Sequence, residues 1–185
     1  MHELSDSELI ARARDDPEAF GILYERYVTR IYNYIYYRVG NHHDAEDLTA
    51  RTFYRALKHL SRYVDRGAPF SAYLYRIAHN VVANWHRDNR RQQAVPLDEL
   101  FTLPWRRDGP AVEAERRDEE AALLRAVRRL PPDRQHLLVL KLVEQLSNAE
   151  IAEIMGRTEG AIKSLYHRTL AALREELMRE RGDDG

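Results

Sequence analysis

Phe20, Leu23, Tyr24, Tyr27, Ile31 and Tyr34 recur at the i, i+3, i+4, i+7 spacing of a single helix face. No strand pattern accommodates that repeat, and it commits the first half of the chain to helix packing. The punctuation agrees. Asp16-Pro17 fits an N-cap followed by a first-turn proline. Ser5 and Glu8 are spaced as a capping box for a short helix ahead of it. Gly40-Asn41 ends the long helix. A further helix is predicted from about Asp44, burying Ala45, Leu48, Phe53, Ala56, Leu57 and Leu60. Residues 61–69, SRYVDRGAP, read as a turn-rich loop, and another helix starts near Phe70.

The character changes at 92–112, where Pro96, Pro104, Gly109 and Pro110 interrupt any helix. A helix is predicted again around 113–130, broken by Pro131-Pro132. Asp133 is placed to cap the next one, which runs to about Leu146. No strand-like alternation of useful length and no internal repeat interrupts this pattern. The expected fold is all-α: two small helical domains, 1–91 and 113–181, joined by a flexible linker over 92–112. With 185 residues in total, each domain has a thin core. Cysteine is absent, which excludes disulfides and thiolate metal sites and suits a reducing cytoplasm. The N-terminus lacks the basic-then-apolar pattern of a secretory signal. No apolar run is long enough for a membrane span, so no membrane insertion is expected.

The formal net charge is −1, yet residues 61–95 carry six arginines against two aspartates. Within that window, YRIAHNVVANWHRDNRRQ (75–92) places Ile77, Ala78, Val81 and Trp85 on an apolar stripe. Arg76, His79, Asn80, His86, Arg87, Arg90 and Arg91 fall elsewhere around the helix. A local basic patch suffices to meet phosphates, although a solvated helix face has the same composition. Trp85, Tyr73 and Tyr75 are open between core packing and base stacking.

The segment LSNAEIAEIMGRTEGAIKSLYHRTLAALREEL (146–177) is more specific. Ser147 and Glu150 form a capping box before a short helix, Gly156 ends it, and Thr158 caps the next. Ala152 is small where the helices would cross, and Ile162 buries the second helix. This is helix-turn-helix spacing. Lys163, Ser164, His167 and Arg168 can share an outward face near the front of the second helix, where side chains reach base edges in the major groove.

Taken together, three segments resemble the extracytoplasmic-function, or group four, sigma factors of bacterial RNA polymerase. Residues 16–60 resemble the first helices of that family's sigma-2 domain, 70–91 its promoter-melting helix, and 146–177 its sigma-4 helix-turn-helix. The resemblance implies a protein that binds core RNA polymerase, through the beta-prime clamp and the beta flap, and directs promoter-specific initiation. It implies promoter DNA and an anti-sigma factor as partners, a cytoplasmic location, no catalytic residues, and no metal or cofactor. Asp44, Glu46, Asp47, Thr52 and Phe53 match the polymerase-gripping surface. At the −10 element, Asn80 matches the position facing a flipped base. Tyr63 and Asp65 would complete the pocket, and Arg76, Arg87, Arg90 and Arg91 would meet phosphates. At the −35 element, Thr158, Lys163, Ser164, His167 and Arg168 match contact positions, whereas Leu165, Tyr166 and Leu170 depart from the usual residues.

Two rival functions compete with this one. A helix-turn-helix regulator that never joins polymerase explains 146–177 but not the basic, aromatic helix. A metal-dependent hydrolase would draw on His42, His43, Asp44, Glu46 and Asp47, or on His79 and His86. Adjacent histidines and histidines two turns apart are both poor ligand spacings.

Overall fold

The computed structural model describes residues 3–89 and 110–183. Among them are eight α-helices, dividing into two compact helical units, one through residue 89 and one from residue 110.

In the first unit, α1 (Asp6–Arg12) carries the expected capping box: Ser5 Oγ accepts from the Glu8 amide, and the Glu8 carboxylate returns to the Ser5 amide. Those bonds hold the Glu8 carboxyl below its ordinary pKa. Helix α2 (Pro17–Val39) starts on Asp16, whose side chain accepts from the Glu18 amide. It ends on Gly40 at φ +80°, a left-handed position that a side chain would strain. Asn41 then caps α3 (His42–Lys58), two residues earlier than the sequence suggests, by accepting from the Asp44 amide. A 3-10 turn (Leu60–Arg62) and an open loop lead to α4 (Phe70–Asp88).

The core of this unit lies where α2, α3 and α4 meet. Leu23, Ile31 and Ile35 from α2, Leu48 from α3, and Leu74, Tyr75 and Val82 from α4 are all buried there. Each fully buried aliphatic side chain contributes about 1.5–3 kcal/mol. Thr49 and Thr52 are buried too, and each hydroxyl is satisfied by the carbonyl four residues back, on Ala45 and Leu48. Leu57, expected in this core, is 44% exposed. The buried arc of α3 is narrower than its apolar arc, and Leu57 falls outside it.

The second unit comprises α5 (Pro110–Arg129), α6 (Pro132–Leu138), α7 (Asn148–Met155) and α8 (Glu159–Asp183). Helix α6 continues as a single π turn, Val139–Val143, in which the Glu144 amide bonds the Val139 carbonyl at 3.1 Å. Asp133 does not cap α6: Pro131 occupies that position without a side-chain bond, and Asp133 instead accepts from Arg157 at 2.8 Å. Gln145 comes after the π turn at φ +54°, and Leu146 returns to the core. The core gathers Ala126, Leu130, Leu137, Leu140, Ile151, Ile162 and Leu165. Arg125 and Arg129 of α5 pair with Glu180 of α8 at 2.7 and 2.8 Å, tying the far end of α8 to α5.

Candidate nucleic-acid interface

The helix-turn-helix has the expected geometry. Ser147 and Glu150 complete their capping box. Gly156 closes α7 at φ +64°, and the Thr158 hydroxyl accepts from the Ala161 amide to start α8. Ala152 and Ile162 are buried at the crossing. Lys163, Ser164, His167 and Arg168 stand exposed on one face of α8. Arg168 leans back on its own helix, its Nε 3.4 Å from the Ser164 carbonyl. Two of the departures from the family pattern have other roles. Leu165 is core. Tyr166 lies under Lys141, whose Nζ is 5.7 Å from the ring centroid and also donates to Asn148 at 2.8 Å. That lysine links the π turn to both helices of the motif.

Helix α4 presents a second exposed polar stripe. Arg76, Asn80 and Arg87 are exposed along it, with Arg87 3.8 Å from Asp88. Arg90 and Arg91 lie outside the described residues. Tyr75 is core, packed edge-on against Tyr34 with centroids 5.2 Å apart. Tyr73 is half-buried and lies 4.9 Å from Tyr63, which meets Phe70 edge-on at 5.7 Å. Tyr63 is thus the loop residue supported by an aromatic floor. Burial first, then the Asp65 charge, push its phenol pKa up. Both Asp65 oxygens are engaged within the protein: one accepts from the Gly67 amide at 2.9 Å, the other from Ser7 Oγ at 3.0 Å. Both bonds lower its pKa, the Gly67 amide more than Ser7.

Trp85 is neither core nor on the outer stripe. It lines a polar cleft of about 260 Å³ between α3 and α4, together with Asp44, Asp47, Arg51, Asn84 and Asp88. On the opposite flank of α3, Tyr24, Val28 and Tyr32 of α2 and Glu46, Thr49 and Ala50 of α3 form a groove of about 270 Å³. Beside it stand Tyr54, 65% exposed, and Leu57.

Of the five residues matched to a polymerase-gripping surface, Glu46 and Asp47 are exposed and Asp44 is partly so. Thr52 is corrected to a core position, and Phe53 takes the buried position that the helix periodicity predicts rather than a surface one. Thr52 is fully buried, and Phe53 packs edge-on against Tyr24 at 4.8 Å. They hold the surface from beneath rather than forming it. Tyr24, expected on the periodic face of α2, is 42% exposed, and Tyr54, which the spacing leaves unassigned, is a further exposed ring.

The histidines are engaged elsewhere. His42 stacks on Tyr36 at 4.5 Å and hydrogen-bonds the Tyr32 hydroxyl, and His79 Nδ1 faces the Arg38 guanidinium at 2.9 Å. A guanidinium beside His79 repels a metal cation, and among the described residues no three His, Asp or Glu side chains gather as a metal site.

Residues 23–92 match the family model for Sigma-70 region 2, and residues 120–173 that for Sigma-70 region 4. Over 175 residues the chain is 41% identical to the ECF RNA polymerase sigma factor BldN of Streptomyces coelicolor, covering 90% of this chain and 63% of that protein. It is 33% identical over 135 residues to the ECF RNA polymerase sigma factor ShbA of Streptomyces griseus, covering 71% of each. In fold it matches the sigma factor RpoE from Bartonella quintana, solved in complex with the anti-sigma factor NepR. The TM-score is 0.65 at 20% identity, covering 86% of this chain and 96% of that one. The chain therefore belongs to the sigma-70 family, among the ECF RNA polymerase sigma factors.

Proposed function

We propose that this chain binds core RNA polymerase and directs initiation at particular promoters, with the first unit opening the −10 element and the second reading the −35 element. The observation that carries this reading is the presence of two exposed polar helix faces on one chain. The α4 stripe of Arg76, Asn80 and Arg87 runs beside an aromatic-floored loop, and the α8 face carries Lys163, His167 and Arg168. A single strand needs cationic and stacking groups, whereas duplex readout needs a helix that projects side chains into the major groove. A regulator using the helix-turn-helix alone would have no need of the first face.

Core polymerase would dock on α3. Glu46 and Asp47 supply its exposed acidic groups, Asp44 is partly exposed, and the neighbouring groove with Tyr24, Tyr54 and Leu57 supplies apolar area. The beta-prime clamp fits this surface, and the beta flap fits the second unit. An anti-sigma factor is a natural antagonist, since RpoE of Bartonella quintana was solved with one. The domain division is 1–91, a linker over 92–112, and 113–181, although α5 begins three residues earlier, at Pro110. The protein performs no bond chemistry of its own and works in the cytoplasm; none of its described helices is long and apolar enough to cross a membrane. Run-off transcription with core polymerase on a promoter library tests the reading. Transcripts from a defined promoter subset are expected, and a chain that binds duplex DNA without yielding transcripts would return the case to the regulator.

A further inference from the structure

Helix α1 and the turn that follows it touch the 61–69 loop at two points. Ser7 Oγ donates to Asp65 Oδ2 at 3.0 Å, and Arg14 Nη2 donates to the Tyr63 carbonyl at 3.3 Å. Ser7 stands in the first turn of α1, and Arg14 lies just past its C-cap, Ala13. Their acceptors are two residues apart, so α1 and its following turn hold the loop on either side of Val64. Within the loop, the Tyr63 amide bonds the Leu60 carbonyl at 3.1 Å and the Gly67 amide bonds Asp65 Oδ1 at 2.9 Å. Val64, between the two tethered residues, is 64% exposed.

The tether has a firm base. Leu9 and Ile10 bury α1 against the core. Asp6 accepts from Arg26 Nη1 at 2.5 Å and from the Tyr27 hydroxyl. The Tyr27 ring in turn meets Phe70 edge-on at 6.0 Å, and Phe70 meets Tyr63. This short helix and its following turn therefore reach the loop by two routes, through hydrogen bonds to its backbone and carboxylate and through the aromatic floor under Tyr63.

We infer that Ser7 and Arg14 are positioning residues for −10 recognition: α1 and the turn after it hold the 61–69 loop in the shape that receives the unpaired base, and Asp65 serves as the anchor of that loop rather than as a base reader. The inference rests on the proposed contact of this loop with the −10 strand. A loop already held in its bound shape loses less freedom on binding, so its contacts translate more fully into discrimination between bases.

The test uses holoenzyme assembled from core polymerase and the full chain. Open complexes are scored by permanganate reactivity on promoters in which each −10 base is permuted. In the Ser7→Ala, Arg14→Ala double variant, the ratio of open complexes between best and worst base should fall about five- to tenfold, the loss expected for two such bonds. Asp65→Ala should reproduce that fall, Ser7→Thr with Arg14 intact should keep the original ratio, and −35 duplex affinity should not move. Thermal unfolding of each variant separates lost positioning from lost fold, because a global loss would also lower opening on the best base. An unchanged ratio in the double variant, with Asn80→Ala still impairing opening, would overturn the role of α1 alone. If Asn80→Ala and Asp65→Ala also left opening and base preference intact, the −10 reading of this loop would fall with it.

Discussion

Arg38 near the end of α2 donates through Nη1 to His79 Nδ1 on α4, 2.9 Å away. Arginine has no acceptor, so this nitrogen of His79 is the acceptor and carries no proton. The same guanidinium donates to the Tyr34 hydroxyl and lies 5.2 Å from that ring's centroid, while its Nε and Nη2 are buried without a hydrogen-bond partner. His86, two turns further along α4, bonds the Arg38 carbonyl, yet burial and then the Arg38 charge lower its pKa below the ordinary 6.5.

His86 thereby makes the first unit less stable in acid. Above 6.5, His86 is neutral in folded and unfolded chains and contributes no difference. As pH falls below 6.5 the unfolded chain takes up the proton first, so stability declines until pH passes the depressed folded value. Urea unfolding of the first unit should therefore shift to lower midpoints between pH 7.5 and 5.5, and His86→Asn should flatten that slope. Parallel slopes in the two proteins would rule out His86 as the source.

Asp47 and Phe53 separate surface from support on α3. Asp47 is 51% exposed, and its 3.0 Å pair with Arg51 is a surface pair that contributes little to stability. Asp47→Arg should weaken competition for core polymerase while circular dichroism and thermal midpoint stay unchanged. Phe53→Ala should cost about 3–5 kcal/mol of unfolding free energy through the cavity it leaves. Unimpaired competition by Asp47→Arg would remove this face from the docking surface.

Arg168 and Leu165 make the same distinction on α8. Arg168→Ala should weaken −35 binding by about 1–3 kcal/mol and relax preference at one base pair if the guanidinium grips a guanine edge. Contact with phosphate alone would instead lower affinity evenly across sequences and reduce the salt slope. Leu165→Ala should act on folding, at about 2–5 kcal/mol. Gel-shift titrations on permuted −35 sites at two salt concentrations distinguish the outcomes.

Gln145 at φ +54° bears the left-handed penalty that glycine avoids. Gln145→Gly should stabilise the second unit by about 0.5–1 kcal/mol, the relief being partly offset by the freer unfolded chain. Denaturant unfolding measures it, and a destabilised variant would mean the Gln145 side chain has a role of its own.

Local signals translated well into structure. Both capping boxes, Asp16 at the head of α2, and Gly40 and Gly156 at helix ends are decided within a few residues, so the sequence alone places them. Errors arose where a neighbour decides. Periodicity marks a face but not its width: Leu57 falls outside the buried arc and Thr52 inside it, while Phe53 is buried as the spacing predicts. Asp133 sits at a plausible cap but has a partner 24 residues away in Arg157. The bond between Asp65 and Ser7, 58 residues apart, is likewise beyond what local spacing can show. Arg38, in the apolar run YIYYRV, gives no sign of burial until α4 is laid against it.

The π turn at Val139–Val143 makes chain length there equivalent to angle. A wide turn holds one residue more than an α turn, because its hydrogen bonds span five residues rather than four. Removing one residue from this stretch would close it to ordinary α geometry and rotate α6 by about 100° relative to α7 and α8. Lys141 would then lose its hold on Asn148 and Tyr166 together. Between this chain and a relative one residue shorter at this place, a gap too small to notice in an alignment would amount to more than a quarter-turn at the entrance to the helix-turn-helix.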